Sequence, residues 1–148
     1  MPRRWFLRIL ASAIRAGLLF VGGVAVLASE TETIARFASP EITLQTYIEA
    51  LRKADRSTVE ECFDPPAIGF YLPGPLPVDT YRIQKRIVFG PKEVREWNSK
   101  GIIPAAREGD VELQVQELMN GIPNMFSYWF RSVDTGWKIY AHSAWNVR

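Results

Sequence analysis

The chain carries few side chains suited to chemistry. His142 is the only histidine and Cys62 the only cysteine. An imidazole titrates near neutral pH, so His142 is the one residue fitted by type to act as a general base. Strand alternation sets it beside Lys138 and Tyr140, away from Trp137, Ile139, Ala141, Ser143 and Trp145. If the tryptophan face lines a cavity, His142 points outward and is a surface or structural residue instead. Cys62 lies in an apolar helical turn with Val59 and Phe63 and reads as a buried, inert thiol that can form no intramolecular disulfide.

With one His and one Cys, zinc and iron sites lack ligands, and no Asp-x-Asp loop offers a calcium site. There is no P-loop, no Gly-x-Gly-x-x-Gly and no Gly-x-Ser-x-Gly. No metal and no cofactor is expected. Asp134-Thr135-Gly136 spells the aspartic-protease tripeptide, but that chemistry needs a second carboxylate loop, so the tripeptide reads as a hairpin turn.

The aromatic run is more informative. Phe126, Tyr128 and Phe130 share one face of a strand, and Met125, Trp129 and Arg131 share the other. Both faces are apolar and both need cover. One reading is core plus a dimer interface. The other is a ligand pocket built from Tyr47, Trp129, Arg131 and Trp145. Arg131 in so apolar a strand needs a partner, either Glu112 or Glu117 on the neighbouring strand or a ligand carboxylate.

The elements that hold these side chains show in the pattern. Ser39-Pro40-Glu41 starts a helix that runs to about Ala54, with Leu44, Tyr47, Ile48 and Leu51 as its apolar stripe. Ser57 and Glu60 suggest a capping box on a short second helix ending near Phe63. Residues 64–79 hold five prolines and two glycines, which excludes a helix or central strand. They form either an irregular segment packed on the core or a lid over a pocket.

From Thr80 the period is two, with Tyr81, Ile83, Lys85, Ile87 and Phe89 on one face and Arg82, Gln84, Arg86 and Val88 on the other. A short helix follows from Lys92 to Asn98, stopped by Gly101. Residues 111–116 alternate as a half-buried strand, residues 120–124 turn the chain, and strands run from Met125 to Val133 and Trp137 to Trp145. The order predicts an α+β fold, helices packed on a curved antiparallel sheet.

The N-terminus reads as an export leader. Arg3, Arg4, Arg8 and Arg15 precede any acidic residue, an apolar run spans Ala16 to Ala28, and cleavage is expected between Ala28 and Ser29. The run has 13 uncharged residues, against roughly 20 for a bilayer span, so a retained anchor is the alternative. Residues 3–8 fit either an ordinary basic leader or a twin-arginine signal. Removing four leader arginines from the 18 basic residues, with all 16 acidic ones kept, takes the formal charge from +2 to −2. No basic footprint remains for nucleic acid. Residues 29–38 read as a flexible linker and 39–148 as one domain.

Ser39-Pro40-Glu41, the run Tyr47 to Asp55, and the closing pair Tyr128 to Arg131 and Val133 to Ile139 resemble the nuclear transport factor 2-like (NTF2-like) superfamily, which includes SnoaL-type cyclases and ketosteroid isomerases. The resemblance covers about residues 39–146. It implies a conical cavity between helices and sheet, frequent homodimers, and, in the family's enzymes, Asp or His doing proton chemistry inside the cone. The chain is similar in particular to exported bacterial members, periplasmic or secreted, without assigned activity. The expectation is a non-catalytic domain binding a small apolar or amphipathic ligand or a protein partner, with membrane contact only through residues 1–28. An isomerase-, dehydratase- or cyclase-type enzyme with one buried acid or base is the alternative. A third is an accessory module whose cone is filled by its own aromatics.

Overall fold

The computed structural model describes residues 31–66 and 72–145. The leader, its cleavage point at Ala28 and Ser29, and residues 67–71 of the Pro-rich segment lie outside the described residues. The chain divides into two units, Met1–Ala35 and Arg36–Arg148. In the first, residues 31–35 are described and are helical. The expected linker thus has helical backbone over 31–36, and Phe37 is fully buried. One aromatic in so short a segment shows no period, so the sequence pattern could not reveal either feature. No helix among the described residues is long and apolar enough to cross a membrane.

Helix α1 (Pro40–Lys53) starts as its cap residues require. Ser39 accepts the Ile42 N–H at 3.2 Å, and Pro40 fills the first turn. Arg52 and Lys53 sit at the negative end of the dipole, and Ala54 closes the helix in the left-handed region with φ 55°. Helix α2 (Arg56–Glu61) is capped by Asp55, whose carboxylate takes the Thr58 N–H at 3.2 Å and the Thr58 hydroxyl at 2.7 Å. This corrects the Ser57–Glu60 box. The charged oxygen of Asp55, two residues before Ser57, is the stronger acceptor.

Four strands, β1 (Val78–Val88), β2 (Val111–Met119), β3 (Ile122–Val133) and β4 (Gly136–Trp145), form an antiparallel meander in sequence order. The fold is α+β, with a curved four-stranded sheet. Strand β3 starts at Ile122 rather than Met125, because Asn120 (φ 51°) and Gly121 (φ 74°) complete the reversal in two residues. Helix α3 (Pro91–Lys100) joins β1 to β2.

Besides a register shift between Val78 and Thr80, two bulges within the strands decide which side chains share a face. In β1 the pairing passes from Ile83–Val115 to Lys85–Gln114, leaving Gln84 as an extra residue. In β4 it passes from Trp129–Ala141 to Phe130–Ile139, leaving Tyr140 extra. Tyr81 and Ile83 therefore pack on the α1 side, whereas Lys85 and Ile87 lie on the opposite face. This breaks the single Tyr81-to-Phe89 face expected from strict alternation. On the α1 side, Leu113, Val115, Tyr128, Phe130 and Ile139 bury against Leu44, Tyr47, Ile48 and Leu51. Each such side chain contributes about 1.5–3 kcal/mol, so this layer carries the domain.

The free edge of β4 is partly covered. The Ile139 N–H donates to Cys62 O at 2.8 Å, and the Asp64 N–H donates to Ile139 O at 2.9 Å. Cys62 is buried there, and burial pushes its thiol up to about 12.

Candidate functional site

Part of the second face of the sheet is covered by this chain itself. Phe89, just past the end of β1, is buried, and Gly90-Pro91 turns the chain into α3. Glu93 caps the new helix by accepting the Gly90 N–H at 3.0 Å, and Gly101 (φ 62°) ends it. The inner side of α3 is apolar. Val94 and Trp97 pack with Phe89, Ile103, Ala106 and Trp129, and the Trp97 and Trp129 rings meet edge to face at 5.2 Å.

The loop after α3 is pinned twice. Asn98 Oδ1 accepts the Ala106 N–H at 2.7 Å, and its Nδ2 donates to Ala106 O at 3.3 Å. Arg131 donates Nε and Nη2 to Asp110 at 3.0 and 2.7 Å, and Nη2 also to Ala105 O at 2.8 Å. Its guanidinium lies 4.3 Å from the Tyr140 ring centroid.

Between α3 and the β1–β2 surface runs a groove of about 620 Å³. Lys85, Ile87, Glu112 and Gln114 form its sheet side, and Trp97 and Lys100 its helix side. Most of the charges around it are already engaged. Lys100 Nζ donates to Glu96 at 2.6 Å and stands 4.5 Å from the Trp97 ring centroid. Arg86 pairs with Glu41 at 2.8 Å. Glu112, only 1% exposed, accepts the Ser127 hydroxyl at 2.7 Å and Gln114 Nε2 at 3.1 Å, and no ion pair reaches it among the described residues. Lys85 likewise has no hydrogen-bond or ion-pair partner there.

The four residues expected to share one pocket do not. Tyr47 projects from α1 onto the sheet, where its ring meets Phe63 at 5.6 Å and Tyr128 at 5.8 Å. Trp129 and Arg131 belong to the opposite face. Trp145 ends β4 opposite Met125. Arg131 finds its carboxylate in Asp110 rather than in Glu112 or Glu117, because the chain entering β2 crosses beside it.

His142 is also turned round. The bulge at Tyr140 brings it onto the α1 side, 6.0 Å from the Phe63 ring and 6.1 Å from the Tyr128 ring, in an exposed position. Desolvation by those neighbours holds its pKa below the ordinary histidine value.

Three carboxyl groups are buried: Asp110, which no sequence pattern singles out, and Glu112 and Glu117, which the sequence offers only as partners for Arg131. Glu112 alternates with apolar residues and looked solvent-facing; the cover over its face comes from α3, which strand alternation cannot show. Glu117 is in phase with Val111, Leu113 and Val115, and that spacing marks it for the α1 side. It is 2% exposed and accepts the Tyr128 hydroxyl at 2.6 Å.

Burial raises the Glu117 pKa above its ordinary 4.5, outweighing the Tyr128 hydrogen bond. A carboxyl whose pKa is higher folded than unfolded stabilises the fold at low pH. That contribution is lost as pH rises from its unfolded value through its folded one. Glu117→Gln keeps an acceptor for Tyr128 and removes the charge. Urea unfolding is expected to find it more stable than the parent at pH 8, with no gain at pH 4. A gain of equal size at both pH values would contradict the assignment.

No group of three or more His, Cys, Asp or Glu side chains among the described residues is arranged to hold a metal. Comparison with protein-family models, curated proteins and solved structures finds no match for this chain.

Proposed function

We propose that this chain is an exported NTF2-like domain that binds a small amphipathic molecule without catalysing a reaction on it, in the groove beneath α3. The observation that carries this reading is the groove itself, about 620 Å³ with Ile87 and Trp97 as an apolar wall and polar side chains beside them. Export and localisation to the periplasm or outside the cell rest on the leader pattern. Homodimerisation rests on the resemblance alone.

Ile87 and Trp97 can take roughly 150 Å² of apolar ligand surface from water, about 4 kcal/mol. That corresponds to a millimolar affinity before the cost of association, so polar contacts decide both strength and choice of ligand. The neutral fluorophore N-phenyl-1-naphthylamine tests the groove without reference to charge. The full chain is expected to give saturable enhancement at one site, and Ile87→Arg, at a half-buried wall position, to abolish it while the fold is retained. Enhancement that is absent, or unchanged in Ile87→Arg, would overturn the reading.

A second reading, an isomerase-, dehydratase- or cyclase-type enzyme, is favoured by Glu117. Its carboxyl holds a proton to higher pH than usual and stands against two phenols, those of Tyr128 and Tyr47. Loss of turnover in Glu117→Gln with ligand binding intact would support it.

A further inference from the structure

The charges around the groove are unequal in one respect. Lys100, Glu96 and Arg86 are held in ion pairs, and Glu93 caps its helix. Lys85 and Glu112 remain, one cation and one carboxyl, neither met by an opposite charge among the described residues. Their placement follows from the sheet register. Lys85 lies opposite Gln114, and Glu112 is two residues along β2 on the same face. Diagonal neighbours of this kind are roughly 7–8 Å apart. Ile87, directly opposite Glu112, and Trp97 across the groove put apolar surface beside both groups.

We propose that the ligand is a small zwitterion of the α-amino-acid class with an apolar side chain. Its carboxylate pairs with Lys85, its ammonium with Glu112, and its side chain lies against Ile87 and Trp97. An anion alone would stand beside Glu112, and a cation alone beside Lys85, so each lone charge meets a like group within the same groove. A zwitterion meets both opposite charges. The Ser127 and Gln114 hydrogen bonds fix the Glu112 carboxyl in place, which lowers the ordering cost of binding. This inference rests on the groove being the binding site, and its test separates the two.

The full chain loaded with N-phenyl-1-naphthylamine is titrated with L-phenylalanine, N-acetyl-L-phenylalanine and L-phenylalanine amide, reading displacement of the dye. The free amino acid is expected to bind about tenfold more tightly than either blocked form. Lys85→Met is expected to erase its advantage over the amide, and Glu112→Gln its advantage over the N-acetyl form. If Glu112→Gln does not fold, the Lys85→Met comparison decides. Equal displacement by all three compounds, or discrimination against the amide that survives Lys85→Met, overturns the proposal. Dye capture without displacement by any of them overturns the zwitterion and leaves the groove standing. No dye capture overturns both.

Discussion

Arg131→Ala is expected to remove about 3 kcal/mol of stability, because it strands the Asp110 carboxylate inside the protein. Asp110 is 3% exposed, and its two oxygens take Arg131 Nε at 3.0 Å and Nη2 at 2.7 Å. The pair also organises what surrounds it. Asp110 Oδ2 accepts the Arg107 N–H at 2.9 Å, Asp110 O accepts the Phe89 N–H at 2.8 Å, and Arg131 holds Ala105 O. These contacts keep the loop after α3 down on Trp129, so losing them loosens the helix side of the groove. Urea unfolding of Arg131→Ala and of the double variant Arg131→Met, Asp110→Leu separates the effects. The double variant is expected to recover most of the loss, since it leaves no buried charge unpaired. A change below about 1 kcal/mol in Arg131→Ala would mark the pair as a solvent-screened surface contact.

Gly136→Ala should cost a similar amount for a different reason. Gly136 has φ 109°, outside the range of a residue with a side chain, and a Cβ there would lie 2.5 Å from Phe37 O and 2.7 Å from Phe37 Cβ. The backbone of Phe37 cannot give way cheaply. Its carbonyl accepts the Trp137 N–H at 2.8 Å, and its fully buried ring lies 3.1 Å beneath Lys138 Nζ. Strain and overpacking together come to roughly 3 kcal/mol, or about 10 °C in Tm for a domain of this size. Thermal unfolding followed by tryptophan fluorescence reads it directly. A Tm within about 2 °C of the parent would mean the Phe37 segment is not seated as described.

The features fixed by local chemistry were legible in the sequence. Ser39-Pro40-Glu41 announced α1, and Asn120-Gly121 and Asp134-Thr135 marked the two hairpins. The bulges at Gln84 and Tyr140 left no compositional sign, because neither is a glycine and an extra residue in a strand looks like any other residue. Each reverses the face of everything after it. For that reason the expected Tyr81-to-Phe89 face splits between the two sides of the sheet, and His142 lies on the α1 side. Tyr47 is parted from Trp129 and Arg131 by the sheet itself, since α1 packs on the face opposite to theirs. The groove was hidden for a further reason. Trp97 is a single large aromatic in a polar helix, and its contact with Trp129 spans 32 positions that no periodicity connects.

The most direct test of the groove as the binding site is a nitrogen–proton NMR titration of the full chain with N-phenyl-1-naphthylamine. The chain has five tryptophans, so the indole N–H signals report on separate places in the fold. The expected result is that the Trp97 indole and the Ile87 and Gln114 amides shift together at low dye concentration, while Tyr47, Tyr128 and His142 stay still. Shifts gathered on the α1 side, with Trp97 unmoved, would contradict it and put the ligand beside Glu117 instead.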